Sequence, residues 1–192
     1  LMKQLCLQNP DDKELLIELA DLYYLNGDSK STIQTLDNFL DLSDKSEYVF
    51  LRVIRLLERY EYEDKALEVF QKTLAAHPDS LTAKEAYADM LFRLKRKDEA
   101  LELWDTIAQA GDMQTLLRVA QIGVSHGYSE SALKWLEDKY GQFENEIAYL
   151  NQLCETAIKL GLYNKARPWI QKQLQLADRF SLIQTAVRQM ML

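Results

Sequence analysis

Histidine and cysteine are the side chains that most often act as bases, nucleophiles and metal ligands. This chain of 192 residues has two of each, His77, His126, Cys6 and Cys154. The histidines precede Pro78 and Gly127, which indicates turns, and no pair of these four residues has the spacing of a known catalytic or metal motif. We therefore predict no enzyme activity, no metal and no cofactor. We expect the two histidines to be solvated turn residues and the two cysteine thiols to be buried as small apolar groups.

Arginine offers a different chemistry, the recognition of carboxylates. Arg52, Arg55 and Arg59 are spaced three and four residues apart, so they share one face if this stretch is helical. A guanidinium group pairs with a carboxylate through two parallel hydrogen bonds. Such a strip, with Tyr48 beside it, would bind an acidic peptide.

The bulk composition is that of a globular chain, with 47% hydrophobic and 28% charged residues. The net charge of -7 disfavours nucleic acid as the main partner, because binding phosphates needs a basic surface. No apolar run approaches the ~18 residues of a membrane span, and no signal peptide is visible. The chain begins at Leu1, so we expect a piece of a longer polypeptide. Its compartment stays open.

Apolar residues recur with helical spacing along the whole chain, and no strand-like alternation competes with it. Short polar or glycine-containing turns divide the pattern into pairs of helices. The predicted pairs with both limits defined are about 47–60 with 63–76, 80–94 with 97–110, 112–125 with 129–140 and 144–160 with 163–177. An earlier pair begins near residue 13, and a single helix covers 181–192.

Two residues conflict with this helical pattern. Gly123 lies inside a predicted helix, at a cost of about 1 kcal/mol relative to alanine. Pro168 lies several residues into another, where proline removes a hydrogen-bond donor and clashes with the preceding turn. Either that helix kinks or it begins late, near Lys165, and the late start is favoured.

The helical pairs share a residue pattern with a period close to 34. Counted from Lys13, Glu47, Leu81, Met113 and Ile147, position 8 is mostly small, position 20 is alanine in four of five cases, and position 24 is large and apolar. The pattern resembles the tetratricopeptide repeat. That resemblance implies an all-α, right-handed α-solenoid forming one domain over 1–192. Its parts would be a truncated repeat at 1–10, repeats at 13–46, 47–80, 81–112, 113–146 and 147–180, and a terminal helix at 181–192.

The resemblance also implies where a partner binds. In such proteins the first helix of each repeat lines a concave groove, mainly through positions 2, 5, 6, 9, 12 and 13. The candidate partner-binding residues at these positions are Tyr48, Arg52, Arg55, Arg59, Phe92, Arg93 and Arg118. The alternative is that the arginines pair with acidic residues on the same wall, Glu58, Glu85 and Asp89, and bind nothing.

The resulting hypothesis is a non-catalytic scaffold or adaptor that binds a peptide or protein partner, with no direct membrane insertion. A truncated repeat would expose an apolar face, so self-association through the chain ends is also expected. Two other functions stay open. The chain could be a structural segment of a secretion or assembly complex that binds through its ends or convex face, or a regulatory domain of a larger enzyme.

Overall fold

The computed structural model describes residues 2–9 and 12–190, with side chains described through residue 177. Every regular element in this part of the chain is a helix. In order they are α1 (Met2–Gln8), α2 (Glu14–Leu25), α3 (Ser29–Leu42), α4 (Glu47–Arg59), α5 (Glu63–Ala76), α6 (Leu81–Arg93), α7 (Lys97–Ala110), α8 (Met113–Ser125), α9 (Ser129–Asp138), α10 (Tyr140–Phe143), α11 (Ile147–Lys159) and α12 (Tyr163–Met190). The predicted class, an all-α solenoid of helical repeats, is confirmed.

The chain forms two compact halves, Leu1–Tyr87 and Ala88–Leu192. In the N-terminal half α2 packs on α3 and α4 packs on α5. In the C-terminal half α8 packs on α9, α11 packs on α12, and α7 contacts both α8 and α9. The division into one solenoid domain with the repeat limits given above stays a prediction.

The core is built from the three repeating positions. Positions 8 and 20 are almost fully buried in every repeat. Apart from Ile54 at position 8 of the second repeat, their side chains are small and let paired helices approach closely. Position 24 supplies a large buried side chain in the first four repeats: Leu36, Phe70, Trp104 and Leu136. Its counterpart in the fifth repeat, Ile170, is exposed. Among the described side chains, no further helical pair follows that could cover Ile170.

Serine or aspartate side chains fix the starts of four helices. The side-chain oxygen of each accepts a hydrogen bond from the backbone N–H three residues later, which satisfies a donor that the helix leaves unpaired. These capping residues are Asp28, Ser46, Ser80 and Asp112. The last three occupy equivalent places before α4, α6 and α8, so the start of the first helix is itself part of the repeat.

The turn inside each repeat has the same geometry, although only three of the five turns have glycine at the position that requires it. Position 15 has a positive φ in all five repeats, at Gly27, Glu61, Lys95, Gly127 and Gly161. In each case the next N–H donates to the carbonyl five residues before it, at 2.7–2.9 Å. This is the Schellman arrangement, for which glycine is favoured. The second and third repeats adopt it with a side chain that costs about 1–2 kcal/mol in this conformation.

Lys95→Gly is therefore expected to raise the free energy of unfolding by about 0.5–1 kcal/mol, because relief of the left-handed conformation outweighs the added freedom of the unfolded chain. The midpoint of urea denaturation measures the change. The control is the same replacement at Gln71, which is exposed in α5; there glycine should be destabilising by about 1 kcal/mol. A lower midpoint for Lys95→Gly would contradict the prediction.

The last helix differs from the prediction. α12 begins at Tyr163 and runs without a break to Met190, with Pro168 inside it. The predicted late start near Lys165 is wrong, and the helix does not end before a separate helix at 181; residues 191 and 192 lie outside the described part. Pro168 is exposed, so water can hydrate the Asn164 carbonyl that loses its helical donor.

Candidate protein-binding surface

The candidate surface in the N-terminal half is formed by the exposed faces of α2 and α4, which we call the α2–α4 face. Arg52 on α4 pairs with Glu14 on α2 through both guanidinium ends. Its Nη1 donates to Oε1 at 2.6 Å, and its Nη2 donates to Oε2. These hydrogen bonds hold the pKa of Glu14 below its ordinary value. Arg52 is thus engaged by its own chain.

Arg59, the last residue of α4, also pairs with a carboxylate of α2. It pairs with Asp21 of α2 and donates from Nη2 to the Tyr60 hydroxyl at 3.1 Å. The Tyr60 hydroxyl donates to the same Asp21 carboxylate, and the Tyr60 ring stacks on Tyr24 with centroids 4.3 Å apart. Burial of Tyr60, together with its bond to Asp21, raises its pKa to about 12. These contacts join the C-terminal parts of α2 and α4.

The sequence did not predict these two partners. Glu14 and Asp21 occupy positions 2 and 9 of the first repeat, and they pair with positions 6 and 13 of the second. Both pairs are 38 residues apart, which is one repeat plus about one helical turn. The sequence feature that could have predicted these ion pairs is the 38-residue separation between an acidic residue and an arginine in neighbouring repeats. Much of the predicted cationic strip is therefore neutralised inside the N-terminal half.

Arg55 differs from the two arginines beside it. It is exposed and makes no ion pair with any other residue that the structure describes. Tyr48 lies on the same face of α4 and is 71% exposed. Seven residues separate the two, a rise of about 10.5 Å along the helix. Tyr48 and Arg55 are the members of the predicted set that this face leaves accessible.

In the C-terminal half, Phe92 is part of an aromatic cluster. Its ring stacks on His126 with centroids 4.0 Å apart, and Trp104 and Tyr128 lie at 5.7 and 6.3 Å. His126 is exposed, as its turn position predicted, but its ring has a packing role. Phe92 is half-buried by these contacts.

The two remaining candidates, Arg93 and Arg118, have exposed side chains. Arg93 lies at the end of α6 and Arg118 in the middle of α8. The charge of Arg118, after the hydrogen bonds from Thr115, helps to hold the pKa of Asp112 below its ordinary value. Whether either arginine binds a partner stays a prediction.

The described contacts of His77, Cys6 and Cys154 are packing contacts and contacts with backbone carbonyl groups. His77 places Nε2 2.9 Å from the Lys45 carbonyl oxygen. Cys6 is half-buried, and its thiol lies 3.6 Å from the Leu15 carbonyl oxygen. Cys154 is buried, and burial raises the pKa of its thiol.

Across the described residues, no three histidine, cysteine or acidic side chains are grouped to hold a metal ion. Within the same residues, no helix combines the length and apolarity needed to span a membrane.

These features define the class: a protein of tandem helical pairs that uses fixed small and large core positions. A tetratricopeptide repeat family model matches residues 7–157, and the chain belongs to that family. No curated protein shows a significant sequence match. A protein-interaction scaffold is the general function that this family membership supports.

The chain is also similar to solved structures, one of which supports the fold. A crystal structure of MamA is 14% identical, with 88% of this chain and 93% of that chain covered and a TM-score of 0.50. MamA from Desulfovibrio magneticus RS-1, solved from residue 41 to its end, is 16% identical, with 88% and 97% covered and a TM-score of 0.47. At this identity the first similarity concerns the fold alone.

Proposed function

We propose that this chain is a non-catalytic scaffold or adaptor whose α2–α4 face binds a carboxylate-bearing segment of a protein partner. The observation that carries the proposal is the exposed Arg55 guanidinium, which has no ion pair among the described residues although Arg52 and Arg59 on either side are paired. An acidic side chain or chain terminus can form two parallel hydrogen bonds with it. The net charge of -7 favours a protein over a nucleic acid as the partner.

The surroundings of Arg55 narrow the chemistry of the ligand. Glu14 and Asp21 neutralise the flanking arginines, so the face offers one accessible cation rather than a row of three. A segment with one well-placed carboxylate fits this arrangement better than a run of acidic residues. Tyr48 would pack against an apolar or aromatic side chain about two helical turns away, since tyrosine supplies a large rigid contact surface.

Arg93, Arg118 and Phe92 extend the proposal to the C-terminal half. The two arginines are exposed on first helices of their repeats, and each already has an interaction within the chain, so a partner's carboxylate would compete with that interaction. Phe92, half-buried in its aromatic cluster, would contribute only the edge that remains accessible.

The test is capture of partners from the native source by the wild type and by a Tyr48→Ala/Arg55→Glu variant. The matched control is Lys72→Glu, because Lys72 is 52% exposed on the second helix α5 and its replacement changes the net charge as Arg55→Glu does. We expect the double variant to recover a specific partner at least tenfold less well and the control to recover it normally. Circular dichroism confirms that all three chains are helical.

Equal recovery by the folded double variant and the wild type would refute binding at the α2–α4 face. Equal loss in the double variant and the Lys72→Glu control would show that net charge, and not this face, determines binding.

A further inference from the structure

A cleft of about 560 Å³ lies between α7 and α9 in the C-terminal half. Both are second helices of their repeats, so the cleft is on a different set of helices from those proposed above to bind the partner. α7 lines it with Asp98, Glu102 and Asp105, and α9 lines it with Ser131, Lys134 and Trp135. The three carboxylates are spaced four and three residues apart, so they share one face of α7.

Trp135 forms a fixed floor for this cleft. Its side chain is almost fully buried, and its Nε1–H donates to Asp105 Oδ1 at 2.9 Å. Gln109 donates to the other Asp105 oxygen, Oδ2, at 2.8 Å. Asp105 is therefore occupied on both oxygens and acts as a support for the indole. Leu101 adds an apolar contact to the floor.

Three charged side chains on the walls of the cleft form no ion pairs within the described part of the chain. Asp98 and Glu102 are exposed and one helical turn apart, and neither makes an ion pair with another residue in the described part of the chain. Lys134, exposed on the opposite wall, also has no ion-pair partner there. The α7 wall therefore presents two adjacent free carboxylates over an apolar floor.

We propose that this cleft docks an arginine side chain presented by a basic segment of a protein partner. A guanidinium group can bind the Asp98 and Glu102 carboxylates, while the aliphatic part of arginine packs on Leu101 and the accessible edge of Trp135. The net charge of -7 adds a long-range attraction for a basic partner. Lys134 opposes a cationic ligand and limits the number of positive charges that the cleft accepts.

The probe is an acetylated, amidated nine-residue peptide of glycine and serine with three arginines, titrated into the full chain. The matched probe replaces each arginine with citrulline, which has nearly the same shape without the charge. Binding is followed by ¹⁵N–¹H spectra, in which the Trp135 indole N–H signal, assigned with Trp135→Phe, reports directly on the floor of the cleft.

The test variant is Asp98→Asn/Glu102→Gln, which keeps the side-chain shapes and leaves Asp105 in place. The control is Asp138→Asn/Glu155→Gln, which removes two exposed carboxylates elsewhere in the C-terminal half. We expect the arginine peptide to shift the Trp135 signal, to bind the test variant at least fivefold more weakly, and to bind the control within twofold of wild type. Lys134→Gln should tighten binding two- to fivefold.

Three results would overturn the proposal. Citrulline and arginine peptides could bind equally well, the test and control variants could weaken binding equally, or the Trp135 signal could stay unchanged at millimolar arginine peptide. Each leaves the α2–α4 face untouched, because that face lies in the N-terminal half and is tested with different variants.

Discussion

Replacing Trp104 with alanine is expected to lower the free energy of unfolding by about 3–5 kcal/mol. Trp104 is fully buried at position 24 of the third repeat. Its ring lies 5.7 Å from Phe92, 5.4 Å from His126 and 6.0 Å from Tyr128, centroid to centroid. The truncation would leave a cavity at the centre of this cluster, and urea denaturation followed by circular dichroism would measure the loss.

Truncating Trp104 would remove no hydrogen bond of its indole N–H to any residue that the structure describes. This N–H group is buried and has no hydrogen-bond acceptor among the described residues, so the loss on truncation would come from packing and apolar burial. The matched control is Trp169→Ala in α12, because Trp169 is only half-buried. It should cost about 1–2 kcal/mol. Equal losses for the two variants would contradict a special role for position 24.

Gly123→Ala is expected to lower the free energy of unfolding by about 1–2 kcal/mol, although alanine favours the helix by about 1 kcal/mol. A Cβ atom at position 123 would lie 3.0 Å from Trp135 Cζ3 and 3.4 Å from the Ala132 Cβ. Trp135 cannot move away easily, because it is almost fully buried and hydrogen-bonded to Asp105. Steric conflict therefore outweighs helix propensity. The shift of the urea midpoint measures the balance.

A second pair of variants separates these two effects. With Trp135→Leu as the background, the ring atom that conflicts with the new Cβ is gone. Gly123→Ala should then raise the free energy of unfolding by about 0.5–1 kcal/mol, which reverses the sign seen in the natural background. If Gly123→Ala is destabilising by the same amount in both backgrounds, contact with Trp135 is not the reason for glycine at this position.

The repeating core could be predicted from the sequence because it depends on residue size at fixed intervals. Ala66, Ala100 and Ala132 are all fully buried at position 20, as their spacing indicated. The glycine in α8 was predicted as a local cost. The structure gives the reason, since the close approach of Trp135 depends on a tertiary contact that helix periodicity does not contain.

The candidate surface was less predictable. Sequence spacing placed the arginines on one face of α4 but did not show which of them form ion pairs within the chain. Their partners, Glu14 and Asp21, lie on another helix, so they can be identified only when the offset between neighbouring repeats is known. The turn geometry was hidden for another reason. Glu61 and Lys95 adopt a conformation that their residue types disfavour, and the surrounding helical pair imposes it.

The offset of the ion pairs has a consequence for the order in which the repeats are joined. The first repeat has carboxylates at positions 2 and 9, and the second has guanidinium groups at positions 6 and 13. If the two were exchanged, Tyr48 would face Glu18, and Arg55 would face Leu25. Both pairs would be lost although every core position kept a suitable residue. The two modules share one architecture, but their charges specify which must come first.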